Sequence, residues 1–240
     1  MAEPLFNGPL HWVHGTLEPY PLGELIMQVD SGGTPDTSDP SYWDGDIPWL
    51  TPKEVTGFSS EFYVSRTERT ITPKGLGNSG AKLLPAGTVL LTKRAPVGAV
   101  AINAVPMATN QGFLNFQCGP KLRTLYLAYW LRANRPYLEM VANGSTYPEL
   151  YRSDLFEFEI CVPSLDEQDA IVKVMNALQY LTLLGLPLEQ SVVDPAEMIR
   201  LQDESRRLKV ICDSVLMKLL SGELDVSWIL AKLQKVAGYP

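Results

Sequence analysis

Up to about residue 160 the chain alternates short apolar runs with Gly and Pro, the pattern of many brief strands and turns. Leu22–Val29 is a candidate strand that enters the turn-rich stretch Ser31-Gly32-Gly33-Thr34-Pro35. Short strands are predicted at Ile47–Leu50, Phe62–Val64 and Arg69–Thr72. Stronger ones are predicted at Thr88–Thr92, Val97–Ile102 and Phe113–Cys118, which are rich in β-branched or aromatic residues. Thr124–Val141 predicts a helix, with Leu125, Ala128, Leu131 and Leu138 on one face and Gly144 beyond its end. Phe156–Val162 predicts a last strand, closed by Pro163.

The period then changes. Ser164-Leu165-Asp166-Glu167 has the form of a capping box, and Ile171, Val174, Met175, Leu178 and Leu181 follow at helical spacing until Gly185–Pro187. Asp194-Pro195-Ala196-Glu197 starts a second helix that runs to about Ser221 before Gly222. Such a helix would be roughly 40 Å long. Leu201, Ser205, Leu208, Cys212, Val215 and Leu219 recur in steps of four and three, a coiled-coil seam. A long helix with one apolar stripe needs a partner: the preceding helix, a second copy or another protein. Four regions follow: an irregular lead-in (1–21), a mixed α+β domain (22–163), a helical region (164–222) and a tail (223–240).

Composition narrows the class. No run of about 20 apolar residues could span a bilayer, and the first residues lack the basic and apolar pattern of a secretory signal. Cys118, Cys161 and Cys212 are odd in number and far apart, which disfavours a zinc site or a disulfide framework and suggests a cytoplasmic setting. The net charge is −7, yet it is segregated. Residues 1–65 carry one basic and ten acidic residues, and residues 153–227 carry six and fourteen. Between them, residues 66–94 hold six basic residues and one acidic. Phosphate contacts act within about 8–10 Å, so a local basic field matters more than the total.

Catalytic signatures are missing from the chain. His11 and His14 are its two histidines, both in the lead-in, which disfavours a Ser/His/Asp triad. Gly75-Leu76-Gly77-Asn78-Ser79-Gly80-Ala81-Lys82 lacks the contiguous Gly-Lys-Ser/Thr of a phosphate loop. The acids Asp36, Asp39, Asp44 and Asp46 lack calcium-loop spacing. No Asn/Asp-Pro-Pro-Tyr/Phe motif of an adenine methyltransferase occurs. No cofactor or metal is therefore expected, nor any catalytic residue.

The remaining signals suit binding. Thr34-Pro35, Thr51-Pro52 and Thr72-Pro73 favour short helical starts, whose free amides attract anions, and Lys53 and Lys74 follow two of them. Tyr42, Trp43, Trp49, Asn78, Ser79, Lys93, Arg94, Asn110, Gln111 and Tyr147 include types that stack on bases or bond their edges. Trp43 and Trp49 fit a core equally well, and Asn110-Gln111 also fits a tied-down turn.

An ordered set of segments resembles the target-recognition domain of type I restriction-modification specificity subunits. It runs through Leu22-Gly23-Glu24-Leu25, Gly32-Gly33-Thr34-Pro35, Ile47-Pro48-Trp49-Leu50-Thr51, Ser79-Gly80-Ala81-Lys82, Arg94-Ala95-Pro96-Val97-Gly98 and Thr109-Asn110-Gln111-Gly112-Phe113. It continues in Gly144-Ser145-Thr146 and Pro163-Ser164-Leu165-Asp166-Glu167-Gln168, and ends at Lys218-Leu219-Leu220-Ser221-Gly222-Glu223-Leu224. The resemblance implies a non-catalytic subunit with an α+β recognition domain and long projecting helices. It would read double-stranded DNA for methyltransferase and restriction partner subunits. The usual form carries two such domains, whereas these 240 residues show one and no domain-scale repeat. A homodimer paired through Leu201, Leu208, Cys212, Val215 and Leu219 would read two half-sites. Expected DNA contacts are Lys53, Arg66, Arg69, Lys74, Ser79, Lys82, Lys93 and Arg94, with the loop Ser145, Thr146 and Tyr147. A stand-alone DNA-binding protein or a scaffold protein remains the alternative.

Overall fold

The computed structural model describes residues 10–12, 15–17, 19–56, 62–94, 96–142, 148–156 and 158–184. The chain falls into two units, one built from residues 1–7 and 19–162 and the other from residues 8–18 and 163–240.

The elements of the chain are, in order, β1 (Leu10–Trp12), β2 (Gly15–Leu17), β3 (Pro19–Pro21), α1 (Leu22–Leu25), β4 (Ile26–Ser31), β5 (Trp43–Leu50), α2 (Pro52–Thr56), β6 (Tyr63–Val64) and β7 (Arg69–Ile71). After these come α3 (Pro73–Gly77), β8 (Val89–Thr92), β9 (Val100–Asn103), β10 (Ala108–Thr109), β11 (Phe113–Cys118), α4 (Thr124–Ala133), α5 (Arg135–Ala142), α6 (Arg152–Phe156), β12 (Glu159–Cys161) and α7 (Leu165–Leu184). A single 3₁₀ turn, Pro40–Tyr42, precedes β5.

The first unit is organised around a five-stranded sheet in the order β4-β11-β8-β9-β6, antiparallel except at its β9–β6 edge. The β11 run Phe113-Leu114-Asn115-Phe116 is buried throughout, as befits a strand paired on both sides and covered on both faces. One core gathers Leu50, Val55, Val64, Leu84, Leu90, Met107 and Phe113. A second, smaller sheet runs β10-β5-β7, and its separate core consists of Trp43, Trp49, Ile71, Ala81 and Ala108.

Four expectations change. Leu22–Leu25 is a helical turn, and the strand begins only at Ile26. Leu22 and Leu25 are both buried, and a spacing of three places both on one face only when the backbone is helical. The helix expected over 124–141 is two helices that meet at Asn134. Pro136 has no amide for the carbonyl four residues back and its ring crowds that carbonyl; the Asn134 side chain donates to Trp130 O at 2.9 Å. The last strand shrinks to β12 because Asp154 accepts from the Tyr151 amide at 2.9 Å and so caps α6. Parts of the lead-in, finally, form strands. β1 and β2 form an antiparallel hairpin, and β3 pairs with β12, where its prolines sit without loss because β12 is its one neighbour among the described residues.

The second unit holds α7. Its capping box forms as the sequence predicts: the Ser164 amide and hydroxyl donate to Glu167 Oε2 at 2.9 and 2.7 Å, and the Glu167 amide reaches Ser164 Oγ at 3.4 Å. Gln168 donates to Pro163 O at 2.9 Å, and Ile171 and Met175 are buried. The helix expected at 194–221, with its seam residues Leu201, Leu208, Cys212, Val215 and Leu219, lies outside the described residues. Among the described residues no helix is long and apolar enough to cross a membrane.

Candidate nucleic-acid interface

The small sheet carries Arg69 of the basic segment, and Lys74 follows it in α3. Trp43 and Trp49 lie edge to face, centroids 5.1 Å apart, and are only 6% and 5% exposed. Their indole N–H groups donate to Asp36 O at 3.0 Å and Gly33 O at 2.9 Å. Burial removes both rings from the list of base-stacking residues: they are core. The Arg69 guanidinium lies 3.4 Å from the Trp43 centroid and 5.8 Å from that of Trp49. A cation over an indole face gains about 0.5–1 kcal/mol at an exposed site. The stack also restricts a side chain that otherwise has many rotamers. Thr67 donates to Arg69 O at 2.6 Å and accepts from the Trp49 amide at 3.1 Å, so the backbone under Arg69 is held as well.

Lys74 stands at the start of α3. Thr72 caps that helix, accepting from the Gly75 amide at 3.1 Å and donating to Ser41 O at 2.8 Å. The Lys74 ammonium donates to Ser41 Oγ at 2.7 Å, lies 3.9 Å from Asp39 and hangs 5.2 Å from the Tyr42 ring. The Ser41 hydroxyl and amide hold the Asp39 carboxyl below the usual carboxylate range; the Ser38 amide and hydroxyl do the same for Asp36. Gly75 is required here, since a Cβ would meet Tyr42 O at 2.4 Å.

Lys53 belongs to α2. Glu54 Oε2 accepts from the Thr51 amide and hydroxyl at 2.8 and 2.7 Å, while Oε1 accepts from the Glu68 amide at 2.7 Å. One carboxylate thus joins α2 to the loop that carries exposed Arg66. Thr51-Pro52-Lys53-Glu54 is itself a capping-box sequence, a signal that was readable in advance. Two of the three Thr-Pro steps do start helices, as predicted. At α3 the cap hydroxyl takes a first-turn amide, so that helix start offers less to an anion than the sequence suggested.

Other expected contacts are engaged by partners within the chain. Lys82 pairs at 2.7 Å with Asp30, whose side chain is 5% exposed and also accepts from Gln28 at 2.6 Å. Ser79 Oγ accepts from the Ala81 amide at 3.2 Å. Asn78 donates to Lys74 O at 2.8 Å, Asn110 accepts from the Gly112 amide at 2.8 Å, and Gln111 accepts from Thr34 at 2.5 Å. Lys93 pairs with Glu149 at 2.9 Å, with its side chain 16% exposed. Half-buried Arg94 follows it, at the start of the β8–β9 turn. Lys53, Arg66 and Arg94 make no ion pair among the described residues. Ser145, Thr146 and Tyr147 lie outside the described residues.

A pattern match now joins this geometry. The model of the type I restriction modification DNA specificity domain matches residues 15–185. The chain belongs to that family. It is 43% identical over 153 residues to the specificity subunit of the type I restriction enzyme MjaIX from Methanocaldococcus jannaschii, covering 63% of this chain and 35% of that one. It is 28% identical over 190 residues to the EcoR124I/EcoR124II specificity subunit of Escherichia coli, covering 75% and 46%. The chain therefore spans about a third to a half of the length of these relatives. Its fold resembles the HsdS subunit from Thermoanaerobacter tengcongensis, with a TM-score of 0.51 at 20% identity, covering 86% of this chain and 45% of that one. A chain from a study of complex assembly and conformational transition in the type I R-M system gives a TM-score of 0.57 at 21% identity, covering 86% and 46%.

Among the described residues no group of three or more His, Cys, Asp or Glu is placed to hold a metal ion. Of the described thiols, Cys161 is buried and Cys118 half-buried. Burial pushes the Cys118 thiol up to about 12, against a small opposing hydrogen bond with Thr124. Its ordinary value is 9.0, so the folded state holds the proton longer than the unfolded state. Its contribution to stability is expected to be complete below about pH 9 and to fade as pH rises toward about 12. Peptide mapping after iodoacetamide treatment of the native chain is expected to find Cys118 unmodified at mildly alkaline pH, and modified once the chain is unfolded.

Proposed function

We propose that this specificity-family chain reads DNA sequence for a type I restriction-modification assembly and carries no catalytic site of its own. Methylation and cleavage then belong to methyltransferase and restriction subunits, and the site of action is the cytoplasm. Arg69 supports this reading most directly: a guanidinium held flat on buried Trp43, at the edge of a small sheet, ready to bond guanine or phosphate through its remaining donors. Lys53, Arg66, Lys74 and Arg94 supply further charge, and Ser79 and Lys82 lie within the same basic segment. Ser145, Thr146 and Tyr147 complete the proposed contact set.

One recognition domain reads one half of a bipartite site. Two copies paired through Leu201, Leu208, Cys212, Val215 and Leu219 bring two readers about a two-fold axis. The heptad spacing of those five residues supports the pairing. Light scattering on the isolated chain is expected to give twice 26.6 kDa, and Leu208→Glu is expected to halve that mass. A wild-type monomer overturns self-pairing and leaves pairing with a different half-subunit. Mapping methylated adenines in cells that carry the chain and its methyltransferase should then reveal an interrupted palindrome if the partner is a second copy.

A further inference from the structure

We infer that Lys93 is a positioning residue that clasps the DNA-reading surface together, and that it makes no phosphate contact itself. The inference rests on the DNA-recognition reading above. Two separate parts of the chain meet at this one residue. Its amide donates to Gly112 O at 2.9 Å, and its carbonyl accepts from the Leu150 amide at 2.9 Å. Its ammonium meets Glu149 Oε1 at 2.9 Å, with the two side chains only 16% and 22% exposed. The Gly112 connection extends further. The Gly112 amide is held by Asn110 Oδ1 at 2.8 Å, and the Asn110 amide by Leu50 O at 3.0 Å. Gly112 also packs so close to Pro52 that a Cβ there would meet Pro52 Cγ at 2.7 Å. Lys93 therefore ties the 148–150 segment to the 110–112 turn, and through it to the first residue of the helix that carries Lys53.

Charge and burial decide between clasp and contact. A lysine that serves phosphate keeps its ammonium in water until DNA arrives. This ammonium already faces a carboxylate at hydrogen-bond distance, and reaching a phosphate would strip Glu149 of its partner in a poorly solvated place. Neighbouring Arg94 makes no ion pair among the described residues. The neighbours thus divide the work: Lys93 fixes the turn, and half-buried Arg94 keeps a guanidinium with no ion pair among the described residues.

The test compares Lys93→Gln, Glu149→Gln, the charge swap Lys93→Glu with Glu149→Lys, and Lys93→Arg, all in the full chain with its methyltransferase. The probe is a labelled duplex that the wild-type complex has selected from a random-sequence library. Both glutamine variants are expected to weaken binding alike, by about tenfold, and their combination to add little further. The dependence of affinity on salt should keep its wild-type slope, because no phosphate contact is lost. Lys93→Arg and the charge swap should restore binding. Hydrogen exchange at the Leu150 amide should quicken in both glutamine variants and recover in the swap. The clasp is overturned if Lys93→Gln lowers the salt slope by about one while Glu149→Gln leaves binding intact, or if Leu150 exchange is unchanged in both. A wild-type complex that selects no site sinks the recognition reading and the purpose given to the clasp, while Leu150 exchange still scores the clasp itself.

Discussion

Trp49→Ala is expected to destabilise the folded chain by about 3–5 kcal/mol, the usual cost of removing a large aromatic side chain from a packed core. Trp49 is 5% exposed and sits in a small core with Trp43, Ile71, Ala81 and Ala108, against which Tyr42, Ile47 and Leu76 pack. The substitution also leaves Gly33 O without its indole donor at 2.9 Å. Trp43 then loses its edge-to-face partner, and Arg69 stacks on a ring that is no longer braced. Urea unfolding of the full chain, followed by tryptophan fluorescence, measures the loss. Trp49→Phe keeps most of the packing and should cost clearly less. If Trp49→Ala lowers stability by less than about 1 kcal/mol, the small sheet has no independent core and does not hold the Arg69 stack in place.

Joint reversal of Arg69 and Lys74 to glutamate is expected to lower affinity for the selected duplex by about 100-fold or more. Each removed contact to base or phosphate costs about 1–3 kcal/mol, and each 1.4 kcal/mol is tenfold. The slope of affinity against salt should fall by about two if both residues meet phosphates. If Arg69 reads a base edge instead, the slope falls by about one and preference at one position relaxes. Stability should change little, because the Arg69 stack contributes about 0.5–1 kcal/mol and the Lys74–Asp39 pair is exposed. Fluorescence anisotropy across a salt series, with unfolding as the control, separates these outcomes. Unchanged affinity and slope in a folded variant remove the small sheet from the DNA interface.

Much of the fold was readable because local chemistry and global packing agree. The Ser164 capping box that starts α7 follows from side chains within four residues of one another. The β11 strand was readable because a run of apolar residues bounded by Gly and Pro has few other uses in a mixed domain. Misreadings arose where a short segment supports two periods. Leu22–Leu25 lies in an apolar run that extends into β4, and only its packing shows that the first four residues are helical. The break at Asn134 was present in the sequence as Pro136, outweighed there by a continuous apolar face.

The candidate site divides differently. By itself the sequence established the class of protein, through an ordered set of segments that the family model matches over residues 15–185. It also established where basic charge concentrates, because charge is a property of each residue type. It did not establish which of those charges is available. Lys82, Lys93 and Arg94 look alike in the sequence. Asp30 lies 52 residues from Lys82, and Glu149 lies 56 residues from Lys93, so only folding brings those carboxylates to within 2.7 and 2.9 Å. The same holds for Arg69, whose stack on Trp43 comes from the antiparallel pairing of two strands. Ion pairing and stacking fall off within a few ångströms. The partners that decide each cation's role are therefore chosen by long-range topology, which the tertiary structure alone supplies.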